Sequence, residues 1–278
     1  VAFLAMDLAW HERRDLSEDF LAAYARAADD YDLYGLVDFY ESYRAYVRGK
    51  VSAILADDAT AESSAREHAH ATARKFYLLA EACTREPLER PTLYVTCGMI
   101  AAGKSSVARQ LSALVHAPVT DADHVRKHLA GIAPTTPWHD AAFQGNYAPG
   151  RTQAVYDELR RRAEVVLGSG RSVILDASFR ERAQRTAAVA LAQRLGVACL
   201  FVECVADPDV CRARLRERAH GPSVSDGRLD IFDDFVRSFE PLSELASEQH
   251  VRLDTGGSSA DTLAEIRRVV DSVGGVGP

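Results

Sequence analysis

The run Gly98-Met-Ile-Ala-Ala-Gly103-Lys104-Ser105, set directly after Thr92-Leu-Tyr-Val-Thr-Cys97, constrains this chain more than any other feature. It has the spacing G-x-x-x-x-G-K-[ST], which suits a loop that wraps around phosphate oxygens with its N–H groups turned inward. Glycines at both ends allow unusual dihedrals and close approach. Lys104 then reaches the terminal phosphates, the Ser105 hydroxyl ligates Mg²⁺, and the helix that follows adds its N-terminal dipole. With 17 glycines in 278 residues, a chance match is expected on the order of once in several hundred such sequences. One of the four lysines, scarce beside 29 arginines, sits at this position. The expected nucleotide-binding set is Gly98, Met99, Ile100, Ala101, Ala102, Gly103, Lys104, Ser105 and Ser106.

The surroundings of the loop fit a single fold class. After Pro91, short β-branched and aromatic runs alternate with amphipathic stretches. Strands are expected at Thr92–Cys97, Pro118–Thr120, Arg171–Ala177, Val197–Val205 and Val251–Asp254. Helices are expected at Lys104–Val115, from His124, from about Glu181 to Leu195, at Asp207–Arg218 and at Ala260–Val273. Such alternation indicates an α/β domain, a five-stranded parallel sheet covered by helices on both faces, here the three-layer P-loop NTPase type. It is expected to occupy 91–278, with Gly274–Pro278 as a tail.

Residues 1–87 read differently, as a small all-helical segment. Apolar positions at Phe20, Leu21 and Tyr24, then Leu36, Phe39, Tyr40, Tyr43, Tyr46 and Val47, recur at helical steps, and a third helix is expected from Ala61 to about Cys83. The aromatic stripe Tyr34–Tyr46 is read as a packing face rather than a stacking platform for bases. Thr84-Arg-Glu-Pro-Leu-Glu-Arg-Pro91, polar and twice broken by proline, marks the boundary. Val1 opens directly on the apolar run Val1–Met6, so either the start is unconventional or the chain belongs to something longer. That run is too short for a membrane span and lacks a signal peptide's basic flank.

Charge and cysteines narrow the partners. Residues 1–90 carry 11 basic and 17 acidic residues, and 91–278 carry 22 and 23. Neither half has the basic excess of a general nucleic-acid binder. Cys83, Cys97, Cys199, Cys204 and Cys211 form no CxxC pair; Cys97, Cys199 and Cys204 lie in strand-like runs and read as core residues of a reduced, cytoplasmic protein. His68 and His70 point to different helix faces, which argues against a metal site there.

Three patches are candidates to converge on the phosphates. Asp121-Ala-Asp123-His-Val-Arg126-Lys127 follows the second strand, where ligand-contacting residues gather in parallel sheets. A carboxylate there, Asp123 in preference to Asp121, suits acceptance of a hydroxyl proton, and Arg126 one turn on suits an anionic part of the substrate. The competing reading is a helix cap beside a solvated Arg-Lys pair. Val173-Ile-Leu-Asp176 ends a buried-type strand in a carboxylate suited to Mg²⁺, or else simply in a turn. Arg214 and Arg218 share a helix face, as do Arg212 and Arg216. They are expected either to neutralise charge on a transferred phosphoryl group or to form a solvated face. His220–Gly227 then reads as a mobile turn.

Taken together, Cys97–Ser105, Asp123-His-Val-Arg-Lys-His-Leu-Ala-Gly131 and Val173-Ile-Leu-Asp-Ala-Ser-Phe-Arg180 with Arg185 resemble the P-loop kinase module of the zeta-toxin and polynucleotide-kinase-like ATPases over roughly 91–256. The resemblance implies Asp123 as base, Arg126 as substrate anchor, Arg214 and Arg218 in a lid, and Thr255 near the adenine pocket. Ala2–Leu8 and Phe39–Val51 are similar to the end of an aminoglycoside-phosphotransferase-like domain. Its catalytic loop and metal-binding aspartate would lie upstream of Val1, so 1–87 is not expected to act as a kinase alone.

The sequence therefore leads to an ATP- and Mg²⁺-dependent transfer of phosphate to a hydroxyl of a small-molecule acceptor. Catalytic roles fall to Lys104, Asp123, Arg126, Arg214 and Arg218, and the metal to Ser105 and Asp176. A nucleotide-dependent switch without turnover and a nucleic-acid 5′-end kinase are the alternatives. The acceptor is not legible, because Tyr147–Tyr156 and neighbouring stretches carry no readable motif.

Overall fold

The computed structural model describes residues 1–83, 91–133, 136, 144–218 and 227–274. The boundary residues 84–90, the 220–226 turn and the 275–278 tail lie outside the described residues. The chain divides into two compact units, 1–89 and 90–278.

The first unit is helical: α1 (Ala2–Trp10), α2 (Arg14–Ala28), α3 (Val37–Ala56) and α4 (Ser63–Ala82). Its core is small. Met6, Ala45, Phe76 and Ala80 are buried together, with Trp10 stacked on Phe76 at 3.7 Å between ring centroids. Ser17 Oγ donates to Ala5 O at 3.1 Å and Ser42 Oγ to Ala80 O at 2.8 Å, which ties the helices by backbone carbonyls.

The aromatic stripe expected to pack does not. Tyr34 is buried, but Phe39, Tyr40, Tyr43 and Tyr46 are 65%, 50%, 53% and 53% exposed. The inward stripe of α3 is instead Val37, Glu41, Ala45 and Gly49, four residues apart on the opposite face. Small side chains there let α3 and α4 approach closely, which the aromatic face would prevent. The outward face carries the larger apolar side chains and the inward one includes Glu41, so periodicity alone points to the wrong face.

The second unit is the expected α/β fold. Strands β1 (Thr92–Gly98), β2 (Val119–Asp121), β3 (Val173–Asp176), β4 (Ala198–Val205) and β5 (His250–Asp254) form one parallel sheet in the order β2-β3-β1-β4-β5. The helices are α5 (Lys104–Val115), α6 (Ala122–Leu129), α7 (Pro149–Gly168), α8 (Arg182–Leu195), α9 (Pro208–Arg218), α10 (Phe232–Ser238) and α11 (Ser259–Gly274). Tyr94, Ile174, Val202 and Leu253 pack on one side with Val107, Leu111 and Ile266 of α5 and α11. Their strand neighbours Leu93, Val95, Val173, Leu175 and Phe201 are also buried, as a sheet covered on both faces requires.

Two features position the site. The central strand β1 leads into the phosphate loop, with a neighbour on each side to hold it. The register also sets the ends of three strands in a row: Thr96 lies beside Asp176, and Asp176 beside Asp121. All five cysteines are free and buried; burial pushes the Cys199 and Cys204 thiols up to about 12, so they behave as core residues.

Candidate active site

The phosphate loop begins where β1 ends. Gly98 adopts φ +131°, and a Cβ there would lie 2.3 Å from the Cys204 carbonyl oxygen, so no other residue fits between β1 and β4. Gly103 caps α5 in the left-handed region at φ +81°. Between them Ala101 is held at φ +60°, a conformation its Cβ disfavours.

Three of the loop's carbonyls accept from side chains. Lys104 Nζ donates to Met99 O at 2.7 Å, Arg214 Nη1 to Ala101 O at 3.2 Å, and Thr255 Oγ1 to Ala102 O at 2.8 Å. A loop held in this way can present its amides to an anion. Ser105 opens α5 and hydrogen-bonds to Asp176.

Asp176 is a buried carboxyl at the end of β3. Burial lifts it above its ordinary value; hydrogen bonds from Ser105 and from Thr96 Oγ1, at 2.9 Å, and the Lys104 charge work against this, while the Asp121 charge adds to it. A buried carboxyl beside a second acidic residue and a serine hydroxyl fits a hard divalent cation shared with phosphate oxygens. Ser105 and Asp176 are thus the residues that would hold Mg²⁺. Among the described residues no three His, Cys, Asp or Glu side chains cluster to hold an ion by themselves.

The two aspartates after β2 separate into different roles. Asp121 is the N-cap of α6; its Oδ1 accepts from His124 N at 2.9 Å and contacts His124 Nδ1 at 2.8 Å. Asp123, half-buried in the first turn of α6, is the carboxylate of the pair not used as that cap. One turn on, Arg126 is buried with its guanidinium 4.4 Å from the centre of the Tyr147 ring.

Arg214 and Arg218 lie one turn apart on α9. They line a cleft of about 390 Å³ with Ala101, Gly103, Val107 and Thr255, a volume in the range of small-ligand pockets. The Thr255 N–H donates to Val205 O at 2.8 Å. Arg212 instead pairs with Asp209 and Asp233 at the surface.

Several residues acquire roles that the sequence reading did not assign them. Thr96 holds Asp176, a relation that only the strand register reveals. Tyr156 OH accepts from Phe179 N at 3.1 Å and lies 3.2 Å from Ser178 Oγ, fixing the turn after β3, while Ser178 O accepts from Gly98 N at 3.1 Å. Arg185 is fully buried, donating to Phe179 O at 2.8 Å and Pro241 O at 3.1 Å and pairing with Glu244. It staples that same turn to the 241–244 segment.

Comparison with known proteins agrees with this architecture. Residues 93–242 match the family described as AAA domain (AAA_33). Uncharacterized proteins of Mycobacterium tuberculosis and Mycobacterium bovis are 36% identical over 222 residues, 80% of this chain and 43% of theirs. The chain thus spans less than half the length of these curated relatives. Among solved structures, a candidate kinase from Chloroflexus aurantiacus matches with TM-score 0.51 and 19% identity, covering 65% of this chain and 98% of its own. Kti12 of Chaetomium thermophilum, solved in complex with ADP-AlF3, matches with TM-score 0.50 and 17% identity, covering 66% of this chain and all of its own. At these identities the likeness is one of fold.

Proposed function

We propose that this chain, which belongs to the AAA domain family, transfers the γ-phosphoryl group of ATP to a hydroxyl of a small molecule with Mg²⁺. The observation that carries the reading is the phosphate loop, three of whose carbonyls are held by Lys104, Arg214 and Thr255, beside the Ser105–Asp176 pair. Resemblance to the zeta-toxin and polynucleotide-kinase-like ATPases supports the residue roles.

The loop amides and Lys104 bind the β and γ phosphates, and the cleft beside Thr255 takes the nucleoside. Ser105 and Asp176 would hold Mg²⁺, which would supply charge neutralisation on the phosphates. Arg126 holds the acceptor, and Asp123 receives the hydroxyl proton as the acceptor oxygen bonds to phosphorus. The bond from phosphorus to the bridging oxygen breaks, and ADP leaves. Catalysis of this kind is mostly positioning and electrostatics, so the fixed loop supplies more of it than any single side chain.

The near-neutral charge of 91–278 favours a small acceptor over nucleic acid. The helical unit is read as the end of an aminoglycoside-phosphotransferase-like domain on sequence resemblance alone, and the whole protein's acceptor is left to experiment. No described helix is long and apolar enough to cross a membrane; a cytoplasmic setting is part of the proposal.

Incubation with labelled ATP, Mg²⁺ and a metabolite panel tests the reading. Transfer to one metabolite class is expected, falling about 10²–10⁴-fold in Asp123→Ala with ATP binding kept. ATP binding with no transfer to any hydroxyl, and partner binding that follows the nucleotide, would favour the switch instead.

A further inference from the structure

We propose that Arg214 is a positioning residue that holds the phosphate loop in shape through its backbone carbonyls, rather than an arginine that touches the transferred phosphoryl group. Its guanidinium forms a fork between two segments distant in sequence. Nη1 donates to Ala101 O at 3.2 Å and Nη2 to Thr255 O at 2.5 Å.

Each end of the fork bears on loop geometry. Ala101 is the one non-glycine of the loop in the left-handed region, where an L-residue resists staying without external support. Gripping its carbonyl fixes the orientation of the peptide that follows. At the other end, Thr255 is buried and tied to β4, its N–H donating to Val205 O at 2.8 Å and its Oγ1 lying 3.0 Å from the same oxygen. Thr255 Oγ1 also reaches Ala102 O, and a Cβ on Gly103 would lie 3.3 Å from Thr255 Cβ. Arg214 therefore joins the loop to a fixed point of the sheet edge.

Both ends of the guanidinium are taken up by backbone carbonyls, Ala101 O and Thr255 O. Cys211 and Leu215, both buried, seat α9 so that Arg214 keeps this position. Only a planar guanidinium spans two carbonyls in this way; one ammonium on a flexible stem does not reproduce the fork. Arg218, one turn further along α9, lines the same cleft and serves as the control.

The proposal rests on the nucleotide reading for its second arm only. In the first arm, amide hydrogen exchange of the 98–106 segment is followed without nucleotide. Arg214→Ala is expected to speed exchange about tenfold, as loss of a charge-assisted hydrogen bond implies. Arg214→Lys should not restore protection, and Arg218→Ala should leave it unchanged. If Arg214→Ala does not fold, Arg214→Gln, which keeps one donor, should show the same direction. Exchange equal to wild type in the folded variants overturns the proposal.

In the second arm, ATP and ADP are titrated separately. A loop-shaping residue should weaken both by the same factor, about ten, with the main effect on KM. A loss confined to ATP together with a fall in kcat assigns Arg214 to the transferred group and overturns the proposal. If wild-type protein binds neither nucleotide, the proposed function falls, while the exchange arm still decides the role of Arg214.

Discussion

The two units of this chain use apolar residues in opposite ways. In the α/β unit every residue of β1 is buried, and loop carbonyls at Met99, Ala101 and Ala102 have named donors. In the helical unit α3 buries alanine and glycine and turns Phe39, Tyr40, Tyr43 and Tyr46 outward. A substitution in the first case meets backbone, whereas one on the outward face of α3 meets solvent. Residue type alone does not say how much a position matters; the number of fixed partners around it does.

Removing Arg185 should have the largest effect on stability. Arg185→Met leaves Glu244 in place with its side chain only 16% exposed, and breaking such a pair costs about 3–5 kcal/mol. Burial pushes Glu244 up, but the hydrogen bond and charge of Arg185, with Arg182, outweigh it and hold the carboxyl below its ordinary range. A depressed carboxyl stabilises the fold above its unfolded pKa, about 4.3, and this contribution disappears as pH falls through the lower folded value. Urea denaturation at a series of pH values should show that component in wild type and its loss in the variant. Next, Gly98→Ala should cost about 3 kcal/mol or more, since its Cβ would meet the Cys204 carbonyl at 2.3 Å. A cost below about 1 kcal/mol would mean the strands separate easily there, against the contrast drawn between the units.

A smaller effect is expected at Thr96. Thr96→Val removes a donor to Asp176, whose carboxyl is already raised by burial. Mg²⁺ requires the carboxylate, so its affinity in the nucleotide complex should rise with pH as Asp176 loses its proton. The variant should move that rise to higher pH and weaken Mg²⁺ about 3- to 10-fold near neutrality. Least of all, Phe39→Ser on the outward face of α3 should change stability by less than about 0.5 kcal/mol. A loss of several kcal/mol would show that this face is covered in solution and would erase the difference between the units.

What could be read in advance follows the same division. Lys104–Val115 forms as expected, because glycine dihedrals and a phosphate-loop spacing fix both the loop and the helix start. The five strands were legible from β-branched runs buried on both faces. Asp176 was visible as a strand end, and the aspartate cap of α6 was one of the two readings of Asp121–Lys127, whereas Thr96 acquires its role only through register. No element was expected over Pro149–Gly168, although a proline in the first turn is compatible with a helix start there. On α3 the helix was legible and its inward face was not, since the larger apolar side chains lie on the outward face.

The most direct measurement is calorimetric titration of ATP with Mg²⁺ into wild-type protein and into Lys104→Ala. The account predicts saturable binding at one site in wild type and a loss of at least about 100-fold in the variant, because Lys104 is the cation of the loop. Equal affinity in the two proteins, or no binding to wild type, would contradict the assignment of Gly98–Ser105 as the phosphate site.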